Sequence, residues 1–573
     1  MTPHDTTSPP MRGADVLVNV LQRAGTRCVF ALSGNHIMSV FDALVGSRIR
    51  LIHTRHEAAA VHMADAWARL TGEVGIALVT GGPGHANALS ALYTAQMAES
   101  PVLLLSGHAP NPQLGLGAFQ EMRQADMAAP VTKAAWSCRH ADELAGDLAR
   151  AMQLARSGRA GPVHLSLPTD TLESPTSMPA LPDAAAMAPQ PMPLAADQAQ
   201  AMLAQLRRAQ RPLILIGPAG LTQNRRALCS QLEAASGVPV LGMESPRGVN
   251  DPSLGAFAEL LRQSDAVLLI GKRLDFTLQF GRAPACNAQA QWLQVDAELA
   301  EIARTRQAVG ARLLASAQAD LDSALYAFIH AAQAGAPQAT DQALAWRDEV
   351  RRAIDHRPAS WAQARAARPD QLHPVQALAP LQALLDSHPQ AVLIADGGEF
   401  GQWAQAVLHA PHRLINGVAG AIGSALPFAL AARLALPDAP VLAVTGDGSM
   451  GFHIAEIDTA VRCQLPLVIL VGNDACWNAE HQIQLKDYGA DRLLGCDLLP
   501  TRYDLVARAF GGHGEQVTQA GDLQPAVQRA LASGLPACIN VMIEGQPAPL
   551  VRRPDANATA ATAATPSIPA SPP

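Results

Sequence analysis

Two acidic strand ends carry the first chemistry legible in the chain. The apolar run 440–445 (PVLAVT) stops at Gly446-Asp447-Gly448-Ser449, and the run 465–471 (LPLVILV) stops at Gly472-Asn473-Asp474. Between them a helical pattern reaches about residue 463, with Ile454, Ile457, Ala460 and Val461 on one face. Strand, helix and strand make one βαβ unit, whose right-handed crossover puts both strand ends on the same edge of a sheet. Asp447 and Asp474 can then converge. Paired carboxylate oxygens suit Mg²⁺, which typically keeps phosphate oxygens among its ligands. Gly446 and Gly448 allow a phosphate close to the backbone, and the helix N-terminus at Ser449 favours its negative charge. Read alone, G-D-G-S is equally a turn; the second oxygen-rich strand end favours the binding site.

Such a unit needs a sheet, and the chain has material for three. Of its 573 residues 49% are hydrophobic and only 16% charged, so large cores can form and a disordered chain is excluded. Aliphatic runs recur at 27–32, 49–53, 75–80 and 101–106, then at 212–216, 238–242, 266–270 and 291–295, then at 390–395, 440–445, 465–471 and 537–543. Continuous Val/Leu/Ile runs separated by helical patterns indicate parallel strands buried on both faces. Pro/Ala-rich 175–196 and turn-rich 331–371 divide them. The expected fold is α/β: three doubly wound parallel-sheet domains over 11–175, 197–330 and 372–545, with a flexible Ala/Pro/Thr-rich tail over 546–573. A net charge of −7 without a basic block argues against nucleic acid. No apolar segment suits a membrane span. Eight cysteines without a C-x-x-C pair fit a reducing, cytoplasmic setting rather than a disulfide framework or structural zinc.

With G-D-G, a helix, a strand and then N-D, the sequence resembles the thiamine-diphosphate-dependent enzymes of the acetolactate synthase, benzaldehyde lyase and 2-hydroxyacyl-CoA lyase superfamily. The resemblance implies that Asp447, Asp474 and the backbone carbonyl of Cys476 hold Mg²⁺. Asp474 departs from the family's usual Asn and adds a negative charge beside a diphosphate; Asn473 is the reserve ligand. Arg55-His56-Glu57 opens a helix running to Gly72, and Glu57 matches the glutamate that activates the cofactor's aminopyrimidine. An acidic residue stabilised at a helix N-terminus is the plainer alternative. Gly81-Gly82-Pro83-Gly84-His85 resembles the family's glycine-rich loop, and Phe119-Gln120-Glu121 its F-Q-E segment, in which Gln120 faces substrate. Gly420-Ala421-Ile422-Gly423 matches the region that holds the cofactor bent, with Ile422 as the wedge and the Gly420 carbonyl as acceptor. Gly397 and Gly398, after strand-end Asp396, line the diphosphate with Gly446, Gly448 and Ser449.

These matches run from about residue 12 to 545. They imply an enzyme that makes or breaks a carbon–carbon bond next to a carbonyl: an acetolactate-synthase-like carboligase or lyase (transferase or lyase by class) acting on 2-oxo acids or 2-hydroxy ketones. A 2-hydroxyacyl-CoA lyase or oxalyl-CoA-type decarboxylase is the alternative, supported by 271–282 (GKRLDFTLQFGR). A non-catalytic cofactor-binding regulatory protein is a third class. His36, after the first strand, resembles a substrate-side histidine of benzaldehyde lyase; His85, Phe119, Trp477 and His481 are further candidate substrate contacts. Asp296 at a central strand end could hold a ribose, so FAD, ADP or a coenzyme A moiety could dock there, unless that domain is now structural. Arg552 and Arg553 could pair with phosphates or simply be exposed. In the family the cofactor lies between two subunits, which implies a homodimer or homotetramer with active sites at subunit interfaces.

Overall fold

A computed structural model describes residues 11–176, 181–334 and 341–554. The first sheet contains β1 (Cys28–Ala31), β2 (Arg50–His53), β3 (Gly75–Val79), β4 (Val102–His108), β5 (Ala134–Ser137) and β6 (Val163–Pro168), in the order β2-β1-β3-β4-β6-β5. The second contains β7 (Pro212–Ile216), β8 (Val240–Gly242), β9 (Ala266–Ile270), β10 (Gln291–Asp296) and β11 (Leu313–Gln318), ordered β11-β10-β9-β7-β8. The third contains β12 (Val392–Ala395), β13 (His412–Ile415), β14 (Val441–Gly446), β15 (Val468–Asn473), β16 (His513–Val517) and β17 (Ala537–Met542), ordered β13-β12-β14-β15-β17-β16. Every pairing between these strands is parallel. The chain is thus three doubly wound α/β domains, and the outer two share one strand order.

That order has a consequence for function. Strand direction of travel reverses between β1 and β3, and again between β12 and β14. In doubly wound sheets such a switch point opens a crevice at the carboxyl ends of the strands. His36, Gly82, Gly397 and Asp447 follow the ends of β1, β3, β12 and β14 respectively, so each outer domain gathers its chemically distinctive residues at its own switch point.

The outer domains also share a core. Phe30, Ile52, Met63 and Trp67 pack in one cluster with Leu426, Phe428 and Leu430, so helix Glu57–Thr71 lies against helix Ala425–Ala435. Arg69 crosses this junction: it pairs with buried Asp65, donates to the Ile415 carbonyl at 2.8 Å and covers the Phe428 ring at 5.1 Å.

Three expectations need correcting. The single helix expected to 463 is two, Asp447–His453 and Glu456–Arg462. The turn-rich 331–371 contains helix Asp341–Asp355, whose Trp346, Val350 and Ala353 belong to the central core, with Trp346 Nε1 donating to the Pro212 carbonyl at 2.8 Å. The tail expected to be flexible from residue 546 is anchored as far as it is described. Trp403 donates to the Pro547 carbonyl, Val551 is buried, and Arg553 pairs with Glu259 and Glu349 of the central domain. Arg553 is therefore not a free phosphate partner; residues 555–573 lie outside the described residues. Among the described residues no helix is long and apolar enough to cross a membrane.

Candidate active site

In the third domain, parallel pairing sets Gly446 of β14 beside Gly472 of β15, so the next residues emerge together. Asp447, the first helical residue, is buried, and its carboxyl stands beside that of Asp474. Burial pushes the Asp447 carboxyl up; burial and the Asp447 charge push Asp474 up further. Two carboxyls this close share a proton unless a cation replaces it. The buried Asp447 Oδ2 has no hydrogen-bond partner, which is what an absent ligand leaves behind. The Cys476 backbone lies against both carboxylates, and Ala475 before it is in the left-handed region at φ 54°, a strain typical of functional turns. No cluster of three or more His, Cys, Asp or Glu groups suited to a metal occurs among the described residues. Two adjacent carboxylates suit a cation that takes backbone and phosphate oxygens for its other ligands, as Mg²⁺ does. Asn473 is not a spare ligand. Its amide donates to the Thr501 carbonyl and Asn540, and its Oδ1 accepts from Ala475.

Glycines shape the space around this pair. A Cβ on Gly446 would meet nothing within 4 Å, whereas one on Gly448 would stand 2.6 Å from the Trp477 ring. Trp477 is thus a wall of the cradle. A Cβ on Gly397 would stand 2.6 Å from Ile422 Cγ2, so the expected wedge lies directly on the expected diphosphate loop. Strand-end Asp396, expected beside the diphosphate loop, turns out to hold this region together. Asp396, fully buried, accepts from the Gly397, Gly423 and Ala425 amides and from Thr445 Oγ1. Sequence reading missed Tyr503; its hydroxyl donates to the Asp447 carbonyl at 2.8 Å. A Tyr 56 residues beyond Asp447 carries no local signal.

The first domain gathers a second cluster. Glu57 opens its helix, is 8% exposed, accepts from Asn87 Nδ2 at 3.1 Å, and puts Oε1 3.2 Å from where a Gly84 Cβ would be. His36 Nδ1 hydrogen-bonds Thr80 Oγ1 at 3.2 Å, and its ring stacks on Phe119 at 5.9 Å; burial lowers its pKa, so the imidazole is neutral. Gln120 sits at φ 56°, against Gly82. The carboxylate of Glu121 accepts from the Gly115, Gly117 and Ala118 amides and so fixes the loop that presents Phe119 and Gln120. His36, Glu57, Gly82, Phe119 and Gln120 are thus brought together. His85 is not available to a substrate: it is fully enclosed, bonded to Ser106 and packed 4.5 Å from the His164 ring, with burial lowering its pKa to about 4. His481 lies on helix Asn478–Asp487, with a buried Nδ1 lacking a partner.

Comparison with known proteins gives this arrangement a family. Residues 11–127 match the N-terminal TPP-binding domain of thiamine pyrophosphate enzymes, 199–323 their central domain and 396–541 their C-terminal TPP-binding domain. The chain belongs to the thiamine pyrophosphate enzymes. An acetolactate synthase large subunit of Mycobacterium tuberculosis is 33% identical, over 93% of this chain and 96% of the relative. A 2-hydroxyacyl-CoA lyase 2 of Homo sapiens is 32% identical over 93% and 90%, and that of Danio rerio 31% over 93% and 92%. Such relatives leave the non-catalytic alternative without support: this is a thiamine-diphosphate-dependent enzyme.

A nucleotide in the central domain of this thiamine pyrophosphate enzyme meets a chemical obstacle. A cavity of about 570 Å³ opens at its strand ends, lined in part by Arg225, Arg226, Asp296 and Tyr326. Asp296, expected to hold a ribose, is instead committed: one oxygen pairs with buried Arg159, the other accepts from the Glu298 amide at 2.9 Å. Arg159 also pairs with Glu99 of the first domain. The carboxylate a ribose requires is not free, so the residues present do not fit FAD or ADP held in that way.

Proposed function

We propose a Mg²⁺- and thiamine-diphosphate-dependent carboligase or lyase, acetolactate-synthase-like, that makes or breaks the bond between two carbons next to a carbonyl in 2-oxo acids or 2-hydroxy ketones. The observation that carries this reading is the carboxyl pair Asp447–Asp474, with an unpartnered buried oxygen, at a switch point walled by Trp477 and Ile422. Asp447, Asp474 and the Cys476 carbonyl would hold the metal; Gly397, Gly398, Gly446, Gly448 and Ser449 would cradle the diphosphate; Gly420 and Ile422 would fix the shape of the rings. When bound, thiamine diphosphate supplies a carbon nucleophile and then stores the electrons of the broken carbon–carbon bond. Glu57 would hydrogen-bond the aminopyrimidine ring for that activation. Buried among Asn87 and Gly84, its carboxyl is oriented rather than solvated. Gln120 and neutral His36 stand where they can hydrogen-bond a substrate carbonyl or hydroxyl, and Phe119 supplies an apolar contact.

The working unit we propose is a homodimer or homotetramer. Support comes from large apolar side chains left exposed around the site, among them Leu116, Phe119, Phe452, Leu494 and Leu499. Eight unpaired cysteines support a cytoplasmic location. A second reading, 2-hydroxyacyl-CoA lyase, is favoured by the relatives that bear that name at 31–32% identity. Mass spectrometry of products from a panel of 2-oxo acids, 2-hydroxy ketones, aldehydes and acyl-CoAs separates the two. Ligated products from 2-oxo acids are expected. Carbon dioxide release without ligation would sink the carboligase reading, and saturable turnover of acyl-CoAs alone would replace it with the second.

A further inference from the structure

His453 stands where three parts of the proposed cofactor site meet. It is the last residue of the helix that begins at Asp447, and it is 8% exposed. Its Nδ1 lies 2.8 Å from the carbonyl oxygen of Gly423. A carbonyl only accepts, so Nδ1 carries the proton. Gly423 follows Ile422, sits at φ 86°, and gives its own N–H to Asp396 at 2.9 Å. Both backbone groups of this one residue are therefore clamped, one from the end of β12 and the other from the metal-proximal helix. On the other side of Ile422, Asn416 Nδ2 donates to the Ala421 carbonyl at 2.8 Å. A third neighbour comes from the first domain. The His56 ring meets His453 edge-on at 5.8 Å, and the His62 ring does so at 5.5 Å. His56 Nδ1 accepts the Ala58 amide and so caps the helix that begins at Glu57.

We propose that His453 is a positioning residue of the cofactor site: its hydrogen bond to Gly423 ties the Asp447 helix to the turn carrying Gly420 and Ile422, while its ring seats that junction against the capped helix of Glu57. Motion of any one of these parts is then transmitted to the other two through a single side chain. A carbonyl freed from His453 would leave a left-handed glycine with no anchor on one side, and the Ile422 side chain would lose its fixed place over Gly397. Burial lowers the pKa of His453, so the ring acts as a neutral donor and adds no charge to the three-histidine contact.

The inference rests on Gly420 and Ile422 holding the cofactor, and it is tested by binding rather than turnover. The probe is thiamine diphosphate with Mg²⁺, titrated against the full-length protein and read by tryptophan fluorescence, since Trp477 walls the cradle. His453→Leu removes the donor and keeps bulk; His453→Asn keeps an N–H near the position of Nδ1. Loss of one buried hydrogen bond predicts about tenfold weaker binding for His453→Leu, and recovery to within about threefold of the unmodified protein for His453→Asn. The melting temperatures of the two cofactor-free variants are expected to match, because a purely structural role would lower affinity and melting together. The inference is overturned if His453→Leu binds as the unmodified protein does, or if both variants lose affinity in step with their melting temperatures. Absence of binding by the unmodified protein would overturn the reading of the site itself, and this inference with it.

Discussion

Glu121 shows how a half-buried carboxylate can matter at the candidate site. Three amide donors converge on it and hold its pKa below the usual carboxylate range, and the loop they close carries Gln120 in a left-handed conformation that a glutamine does not choose unaided. Because the folded-state pKa is depressed, the constraint is present at neutral pH and is lost only as the pH falls through that lowered value. Glu121→Ala is expected to raise hydrogen exchange of the 114–120 amides about tenfold or more and to reduce kcat/KM by about the same factor, with Glu121→Gln intermediate. Unchanged exchange in Glu121→Ala would show that the loop is held by something else. Asp474 poses the opposite problem. Its carboxyl is buried beside that of Asp447, a like-charge contact that a cation bound as proposed would relieve. Asp474→Asn keeps the hydrogen-bonding shape and removes the repulsion. Without metal it should melt about 2–4 °C higher than the unmodified protein, and the further rise that Mg²⁺ brings should shrink. Lower melting without metal would mean that the second carboxyl group contributes stability of its own.

At the scale of elements, the decisive device is the set of four donors around Asp396, which joins the end of β12, the Gly423–Ala425 turn and β14. Asp396→Ala would strand all four in a buried space, and is expected to cost about 3–5 kcal/mol in equilibrium urea denaturation. Asp396→Asn should lose less, because it keeps an acceptor. Equal, small losses would show that the turn is held by packing alone. This hub also marks the limit of what the sequence makes legible. Strands with continuous aliphatic runs, such as β9 and β15, are plain in the chain, and so are the G-D-G-S and R-H-E elements they position. The strands that escape reading are β5, β11, β13 and β16, each at the edge of its sheet, and β6, where His164 and Ser166 interrupt the run. These strands lack a continuous aliphatic run, as in HGEQV of β16 and LLASAQ of β11, although the edge strands β2 and β8 keep enough of one to be read. Site residues that act through local motifs are legible for the same reason. Tyr503 and His453 are not, nor is the role of Asp396 as a hub, since each works through partners brought near only by the fold. His85 fails in the other direction: it sits inside a glycine-rich motif, yet the polar network at Ser106 and His164 draws it under the sheet rather than towards a ligand.

The whole molecule raises the question of which chain completes which site. Within one chain the two outer domains share a continuous core through helices Glu57–Thr71 and Ala425–Ala435, so their relative placement is fixed. The carboxylate of Glu57 accepts from Asn87 of the first domain, whereas the carboxyl pair Asp447–Asp474 belongs wholly to the third domain. Near both crevices a large ring is exposed: Phe119 is 68% exposed beside Gln120, and Phe452 is 56% exposed beside Trp477. A protein that worked alone would rarely leave such rings in water next to its catalytic groups. Two copies related by a twofold axis can cover both patches at once, presenting the Glu57 cluster of one to the Asp447 cluster of the other. Mixing inactive chains tests this. Glu57→Gln and Asp447→Ala each remove one half of every site in their own homodimer. After subunit exchange, a mixed dimer has one site with both defects and one with neither, so equal mixing should restore about a quarter of the unmodified activity. Exchange is verified by native mass spectrometry of differently tagged chains. If mixed dimers form and activity does not return, each site is built within a single chain, and the exposed rings serve assembly alone.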